Sequence, residues 1–458
     1  MGNPPGPRVN YLLAGIAQML PRWFPFDPLG FAVQNARTFG DIVFYKVGTL
    51  RVYQLTDPDL ARQILVDEAG KFHKPWLLKR AFRPFAGDGL LTSDGPFWKQ
   101  QRKLIQPAFH HRALAEYANV IVRHARLMLQ TFDEGSVIEV QATMSALTLG
   151  VVVECLFGGD VRRHAEEVGR LMTTVLDASN HRLNSALRMP SWVPTKRHLR
   201  ERRAMRRLDA ILGELIDLRR RAPDAGGDLL SMLLSAVDQD SGARMSDQQL
   251  RDEMMTLFLA GHETTANLLT WTWFLLAQHP EAERALSDEI ERVLQGRTPA
   301  PADLANLPYA EMVIRESLRL FPPAPGLVRE PTEDVTIGEF RVPKGSLICV
   351  QTFTMQRDAR FFPEPERFDP SRFLAGWEQR IPRYAYLPFG AGPRVCIGNS
   401  FAMMEARLIL ATIAQQWRLR LEPDQEIAPI QLVTVRAKNG IRMRLERRVT
   451  PQENPAPA

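Results

Sequence analysis

A mainly α chain with small β-sheets is what the sequence predicts, and three observations carry that. The capping box Ser246-Asp-Gln-Gln249 opens a helix running to about Gln278, about 48 Å at 1.5 Å per residue. Its second half, Thr256 to Ala277, is apolar nearly all round, as a helix through a core must be. Strand patterns, by contrast, are short. Asp41 to Gly48 and Leu50 to Leu55 alternate as a hairpin, Gly338 to Val350 as strands about a Pro-Lys-Gly turn, and Pro429 to Leu445 as a closing hairpin around Asn439-Gly440.

The elements between follow in order. Asp57-Pro58 starts a helix through Val66, and Lys74 to Leu91, rich in aromatics, Gly and Pro, reads as an irregular loop over a pocket. Trp98 to Arg102 lies on a helix, helices continue to about residue 175, and 177 to 196 reads as a mobile connection. A strongly basic helix, Lys196 to Arg221, presents its charges as a solvated face. After the long helix come helices over Pro280 to Leu294 and Leu307 to Leu320. Residues 447–458 are polar or Pro-rich and expected to be disordered.

A chain of 458 residues with 45% hydrophobic content can bury a large core. Length alone suggests two or three domains, but no linker-like stretch divides the chain, so one domain over 1–458 is expected. Three widely spaced cysteines make no disulfide framework and point to a reducing compartment. In the N-terminal extension, 1–30, the apolar run Tyr11 to Leu20 is about half of a bilayer span and lacks a signal-peptide pattern, so a soluble cytoplasmic protein without an integral membrane anchor is expected. The net charge of +6 is scattered and accompanies no nucleic-acid motif, so no nucleic-acid partner is expected; a basic patch for an acidic electron-transfer protein fits better.

Chemistry concentrates in Phe389-Gly-Ala-Gly-Pro-Arg-Val-Cys-Ile-Gly398. Two glycines before Cys396 allow a tight backbone that side chains would block. The cysteine then sits at a helix N-terminus, where N–H groups favour thiolate over thiol. Gly398 leaves room for a flat, bulky group and Arg394 places a cation beside it; together these describe an axial haem ligand with a nearby haem propionate. Cys155 and Cys349 lie in apolar runs and read as core. A second oddity is Ala260-Gly-His-Glu-Thr-Thr265, polar residues at the centre of an apolar helix. Gly261 and the back-bonding Thr264 predict a local bulge or kink, and Glu263 with Thr264 predicts a proton relay: the hydroxyl donates to iron-bound oxygen and the acid connects it to solvent.

The cysteine segment resembles the haem-binding loop of the cytochrome P450 superfamily of haem-thiolate monooxygenases, and the Ala260–Thr264 stretch is similar to that family's acid–alcohol motif. Landmarks fall in the family order from about residue 5 to 446. The resemblance implies the cytochrome P450 fold, a large helical lobe whose long central helix crosses the haem, with a small β-rich lobe. It implies haem b bound through the Cys396 thiolate, with Trp98, Arg102, Arg329, Phe389, Arg394 and Gly398 around it. Glu316, Arg319 and Arg367 would form a buried charge triad serving folding and haem retention. Trp76, Leu77, Phe82, Phe85, Leu257, Ala260, Val328, Leu432 and Val433 would wall an apolar substrate pocket, with Ala324 to Val328 along one side. Lys79, Arg80 and Arg83 could meet a carboxylate at its expected mouth, although a solvated face is the better account of them.

The implied reaction inserts one oxygen atom of O2 into a hydrophobic small molecule by hydroxylation or epoxidation, the class being fatty acid, terpenoid or steroid-like. Two electrons would come from a separate ferredoxin or flavodoxin/reductase donor, docking near Lys99, Lys103 and Arg394. Asp94-Gly-Pro-Phe-Trp and Val435-Arg-Ala-Lys-Asn-Gly resemble the branch containing long-chain fatty-acid hydroxylases. Two alternatives keep the cysteine: a peroxide-using peroxygenase or isomerase, and a non-catalytic haem-binding sensor. Glu263 and Thr264 argue for the monooxygenase.

Overall fold

The structure, a computed structural model of the chain, describes residues 2–7, 27–158, 165–184, 193, 195–221, 228–238 and 242–448. The capping box forms as read: Ser246 accepts from the Gln249 N–H and the Gln249 side chain accepts from the Ser246 N–H. From it the central helix, Asp247–Gln278, runs 32 residues with most of its second half buried. It packs along the apolar helix Val140–Phe157 and contacts the helices Pro308–Leu320 and Asn399–Ala414. The expected bulge is absent: the helix stays α throughout. Gly261 serves packing instead, since a Cβ there would come within 3.0 Å of Val152 Cγ2 on the neighbouring helix.

Strands gather in small sheets at the edge of this helical body. A five-stranded sheet orders Ile42–Val47, Leu50–Leu55, Leu347–Val350, Leu327–Pro331 and Phe72–His73, antiparallel except between the second and third. The first pair is the expected hairpin, in register from Ile42↔Leu55 to Val47↔Leu50. The C-terminal strands pair differently from the sequence expectation. Pro429–Gln431 and Val435–Ala437 make a short hairpin, whereas Arg442–Arg447 joins Val137–Glu139 and Trp417–Leu421 in a separate sheet. Asn439-Gly440 therefore turns the chain from one sheet to another, and Glu139 holds the exit by accepting the Ile441 N–H.

The stretch expected to be a loop at 74–91 is mostly helical, Trp76–Ala86. Pro84 and the following Gly-Asp-Gly masked an amphipathic pattern: Ala81, Phe82, Phe85 and Ala86 are buried, while Arg80 and Arg83 face solvent. The expected connection at 177 begins later, because the preceding helix runs Ala165–Asn184; the rest of it, 185–192, lies outside the described residues. So do the N-terminal apolar run and residues 449–458. Among the described residues one helix, Val140–Phe157, is long and apolar enough to cross a membrane, and it is mostly buried inside the protein.

Candidate active site around Cys396

The loop before Cys396 closes on itself. Gly392–Arg394 form a 3-10 turn, the Cys396 N–H donates to the Phe389 carbonyl at 2.9 Å, and the next helix starts at Asn399 with Gly398 as its N-cap. Gly390 and Gly392 both take left-handed φ, +73° and +70°. At Gly392 a Cβ would also strike the Leu65 carbonyl.

Cys396 opens into a cavity of ≈ 320 Å³ between this loop and the central helix. The walls include Phe109, Val152, Leu156, Leu257, Ala260, Thr264, Leu268, Ala324, Leu327, Phe389, Gly398 and Phe401, nearly all apolar. At Gly398 a Cβ would meet only Phe109, at 3.8 Å, so its space is not taken by protein. Within this protein shell burial pushes the Cys396 thiol up, against the Gly398 N–H and the Arg102 guanidinium, which pull it down. The helix N-terminus acts in the expected direction, through the Gly398 N–H, and works against the burial of the sulfur.

Beside the loop lies a cluster of cations. Trp98 is buried on the helix Gly95–Ile105, with the Arg394 guanidinium 4.9 Å and the Arg102 guanidinium 5.7 Å from its ring. Arg102 donates to the Val395 carbonyl at 2.9 Å, tying that helix to the cysteine loop. Arg329, on Leu327–Pro331, is pushed to about 10 by burial and by Arg394. Sequence reasoning missed two members. Lys74 is 9% exposed and held at about 7 by burial and by Arg394, which Asp94 only partly offsets. Asp94 stands at the N-cap position of the Trp98 helix, but its carboxylate, instead of capping, pairs with Arg394 and, at 2.7 Å, with Lys79. Asp94 opens the Asp94-Gly-Pro-Phe-Trp motif, whose signal in the sequence is a family resemblance and not this pairing, and Lys74 belongs to no motif.

One carboxylate cannot neutralise Lys74, Lys79, Arg102, Arg329 and Arg394 together. Arg394 Nη1 is buried and finds no partner among the described residues. Buried cations with an orphaned donor fit a group that brings its own carboxylates. With a cysteine sulfur facing an apolar gap beside them, these residues fit haem.

On the opposite wall Thr264 reaches the cavity, and its hydroxyl donates to the Ala260 carbonyl at 2.6 Å. Glu263, the residue before it on the helix, points elsewhere. It is 4% exposed, accepts from Thr434 and from Arg436 at 2.7 Å, and leaves Oε2 buried without a partner. His262 is packed: its Nε2 lies 2.8 Å from Ser145 Oγ, its carbonyl accepts from Thr148, and burial lowers it to about 4.

Of the expected pocket walls, Leu257 and Ala260 line the cavity, as do Ala324 and Leu327 from the 324–328 stretch. Trp76, Leu77, Phe82, Phe85, Val328, Leu432 and Val433 lie outside its lining. Phe82 and Phe85 are spent in the core with Val153 and Met254, because their segment is a helix and not a loop. The charge triad is also corrected. Glu316 and Arg319 are fully buried and bidentate, at 2.7 and 2.8 Å. The third cation is Arg372, 3.4 Å from Glu316, whereas the Arg367 side chain is exposed and pairs with Glu364; only its carbonyl reaches Arg319. This stretch of sequence offers three Arg-Phe pairs, 360–361, 367–368 and 372–373, and only the chain path distinguishes them. Arg394 likewise leaves the expected docking face, its side chain being 14% exposed and turned inward to Asp94.

A long helix crossing an apolar cavity, with a cysteine loop on one side and a hydroxyl on the other, defines a haem-thiolate oxygenase. The family model described as Cytochrome P450 matches residues 4–443. Cyclooctatin synthase of Streptomyces melanosporofaciens is 38% identical, covering 91% of this chain and 90% of the relative. Cyclooctat-9-en-7-ol 5-monooxygenase of the same organism is 36% identical, covering 84% and 83%. A crystal structure of the cytochrome P450DA heme domain superposes with a TM-score of 0.88 at 26% identity, covering 99% of both chains. The chain belongs to the cytochrome P450 family and is a P450 monooxygenase, binding haem through a cysteine thiolate.

Proposed function

We propose that this monooxygenase hydroxylates or epoxidises a cyclic terpenoid, taking O2 and two electrons from a separate ferredoxin or flavodoxin/reductase donor, with haem b seated at Cys396. The carrying observation is that the walls on the Thr264 side, which a haem seated on Cys396 would leave facing the substrate, are apolar: Val152, Leu156, Leu257 and Ala260. A compact hydrocarbon loses nothing by entering there, whereas a polar ligand would lose hydration without compensation. The relatives named cyclooctatin synthase and cyclooctat-9-en-7-ol 5-monooxygenase support a ring-bearing substrate. Of the cations expected at the mouth, Lys79 is engaged by Asp94 and Arg83 by Asp88, while Arg80 faces solvent. A cytoplasmic site of action goes with this reading.

Bound haem supplies oxygen activation, promoted by the electron-rich thiolate sulfur. The protein's own residues do the rest. Cys396 offers its sulfur from a loop locked by the Phe389 carbonyl, and Trp98, Arg102, Arg329 and Arg394 would hold the carboxylates of a bound haem. Thr264 Oγ1 keeps a proton at the cavity wall, resting on the Ala260 carbonyl. Glu263, held through Oε1 by Thr434 and Arg436, would pass a proton to it only by turning from those partners. The apolar walls exclude water from the reacting atoms.

An optical titration of the ferric protein tests this. Cyclic terpenoid hydrocarbons are expected to give a saturable low-to-high-spin Soret shift at lower concentration than fatty acids or steroids. A saturable shift with fatty acids alone would overturn the terpenoid assignment.

A further inference from the structure

Beside the reaction cavity lies a second, smaller void, bounded by the helices Val140–Phe157, Ala165–Asn184 and Lys196–Arg221 and by the central helix. Met172, Leu208, Leu212, Leu215, Met255 and Phe258 are among its walls, and each is at most 5% exposed. The void leaves ≈ 20 Å³ for the centre of a water-sized sphere, above the roughly 10–15 Å³ that admits one. Among the described residues, none of its walls carries a side-chain nitrogen or oxygen.

A water molecule there would give up its hydrogen bonds for none, so the space stays dry and suits an apolar guest. It is far too small for a terpenoid but has room for a molecule of two heavy atoms. It also adjoins the chemistry. Leu156 and Leu257 wall the reaction cavity, and the residues that follow them, Phe157 and Phe258, wall the void. Consecutive residues point about 100° apart around a helix, so the same two helices present neighbouring faces to the two spaces. All four side chains belong to one apolar cluster, which makes the partition hydrocarbon.

We propose that this void is a holding site for dioxygen, from which the gas crosses the partition of Phe157 and Phe258 into the reaction cavity. Dioxygen is uncharged and a feeble hydrogen-bond acceptor, so it loses little on leaving water and gains dispersion contacts on every side. Met172 and Met255 have flexible, polarizable side chains that adapt to such a guest without breaking a polar bond. The proposal goes beyond the terpenoid reading and rests only on the chain being an oxygenase.

The test uses haem-loaded wild type and Leu212→Phe, whose larger side chain fills the void. Crystals pressurised with xenon are expected to hold the gas between Leu212 and Phe258 in wild type and to lack it there in Leu212→Phe. Stopped-flow mixing of the ferrous protein with O2 is expected to show association at least threefold slower in Leu212→Phe, at unchanged haem content. Imidazole affinity, read from the Soret shift, is expected to stay the same, because a polar ligand does not use the void. No xenon in the wild-type void, an association rate unchanged by filling it, or a parallel loss of imidazole binding would overturn the proposal. Should Leu212→Phe not fold, Val168→Leu fills the same space more mildly and carries the same expectation. Neither readout needs turnover, so failure with every terpenoid would leave both outcomes legible.

Discussion

Glu405 sits on the helix that follows Cys396 with no exposed surface, and neither of its oxygens is bonded. Burial pushes its carboxyl up to about 8, while the Thr265 hydroxyl beside it pulls weakly the other way. In the unfolded chain the group returns to the ordinary 4.5. A raised folded value means that its stabilising contribution is complete below the unfolded value and is lost as pH rises to about 8. Denaturant unfolding at pH 5 and pH 8 should therefore show wild type losing stability relative to Glu405→Gln, with a slope of up to about 1.4 kcal/mol per pH unit. Parallel pH profiles would remove Glu405 from the account. Of these two buried acids, Glu263 and Glu405, only Glu263 announced itself in the sequence, because its neighbours formed a pattern.

At the scale of elements, the cysteine loop and the helical segment beginning at Pro58 form a tight joint. Gly390 and Gly392 share a left-handed backbone, yet their surroundings differ: a Cβ at Gly390 would touch Leu327 at an ordinary 3.6 Å, whereas at Gly392 it would meet the Leu65 carbonyl. Gly390→Ala should cost about 1–2 kcal/mol, the strain of an L-residue in that conformation. Gly392→Ala carries the same strain plus a backbone collision and should lose most haem incorporation, read from the absorbance of the reduced carbon monoxide complex. Equal losses at both glycines would show that the joint is looser than drawn. The segment at 87–93 belongs to the same class of feature, a short stretch of backbone whose Asp88 and Leu90 N–H groups donate to Asp252 and Glu253 of the central helix.

The whole molecule is held together behind the site by the Glu316–Arg319 pair, which ties the helix Pro308–Leu320 to the chain around residues 356–372. Arg319 reaches the carbonyls of Gln356, Pro365 and Arg367, and Glu316 accepts the Asp369 N–H at 2.9 Å. Arg372→Ala should destabilise the haem-loaded protein by about 1–3 kcal/mol, since it strips a partner from a fully buried carboxylate. Arg367→Ala, which removes an exposed pair, should stay within about 0.5 kcal/mol. Denaturant midpoints check this, and the reverse order would restore Arg367 to the triad.

The sequence by itself determined the family, the ligand loop, the central helix with its capping box, and the first hairpin. Each depends on residues close together in the chain, where spacing and backbone preference act directly. Only the tertiary structure decided which arginine completes the triad, which way Glu263 faces, and which side chains wall the cavity. It also brought Lys74 into the cation cluster and set Glu253 against Leu90. The physical reason is one of range. A buried charge or a cavity wall is defined by what the rest of the chain folds against it, and residues 163 positions apart, such as Leu90 and Glu253, carry no local mark of meeting.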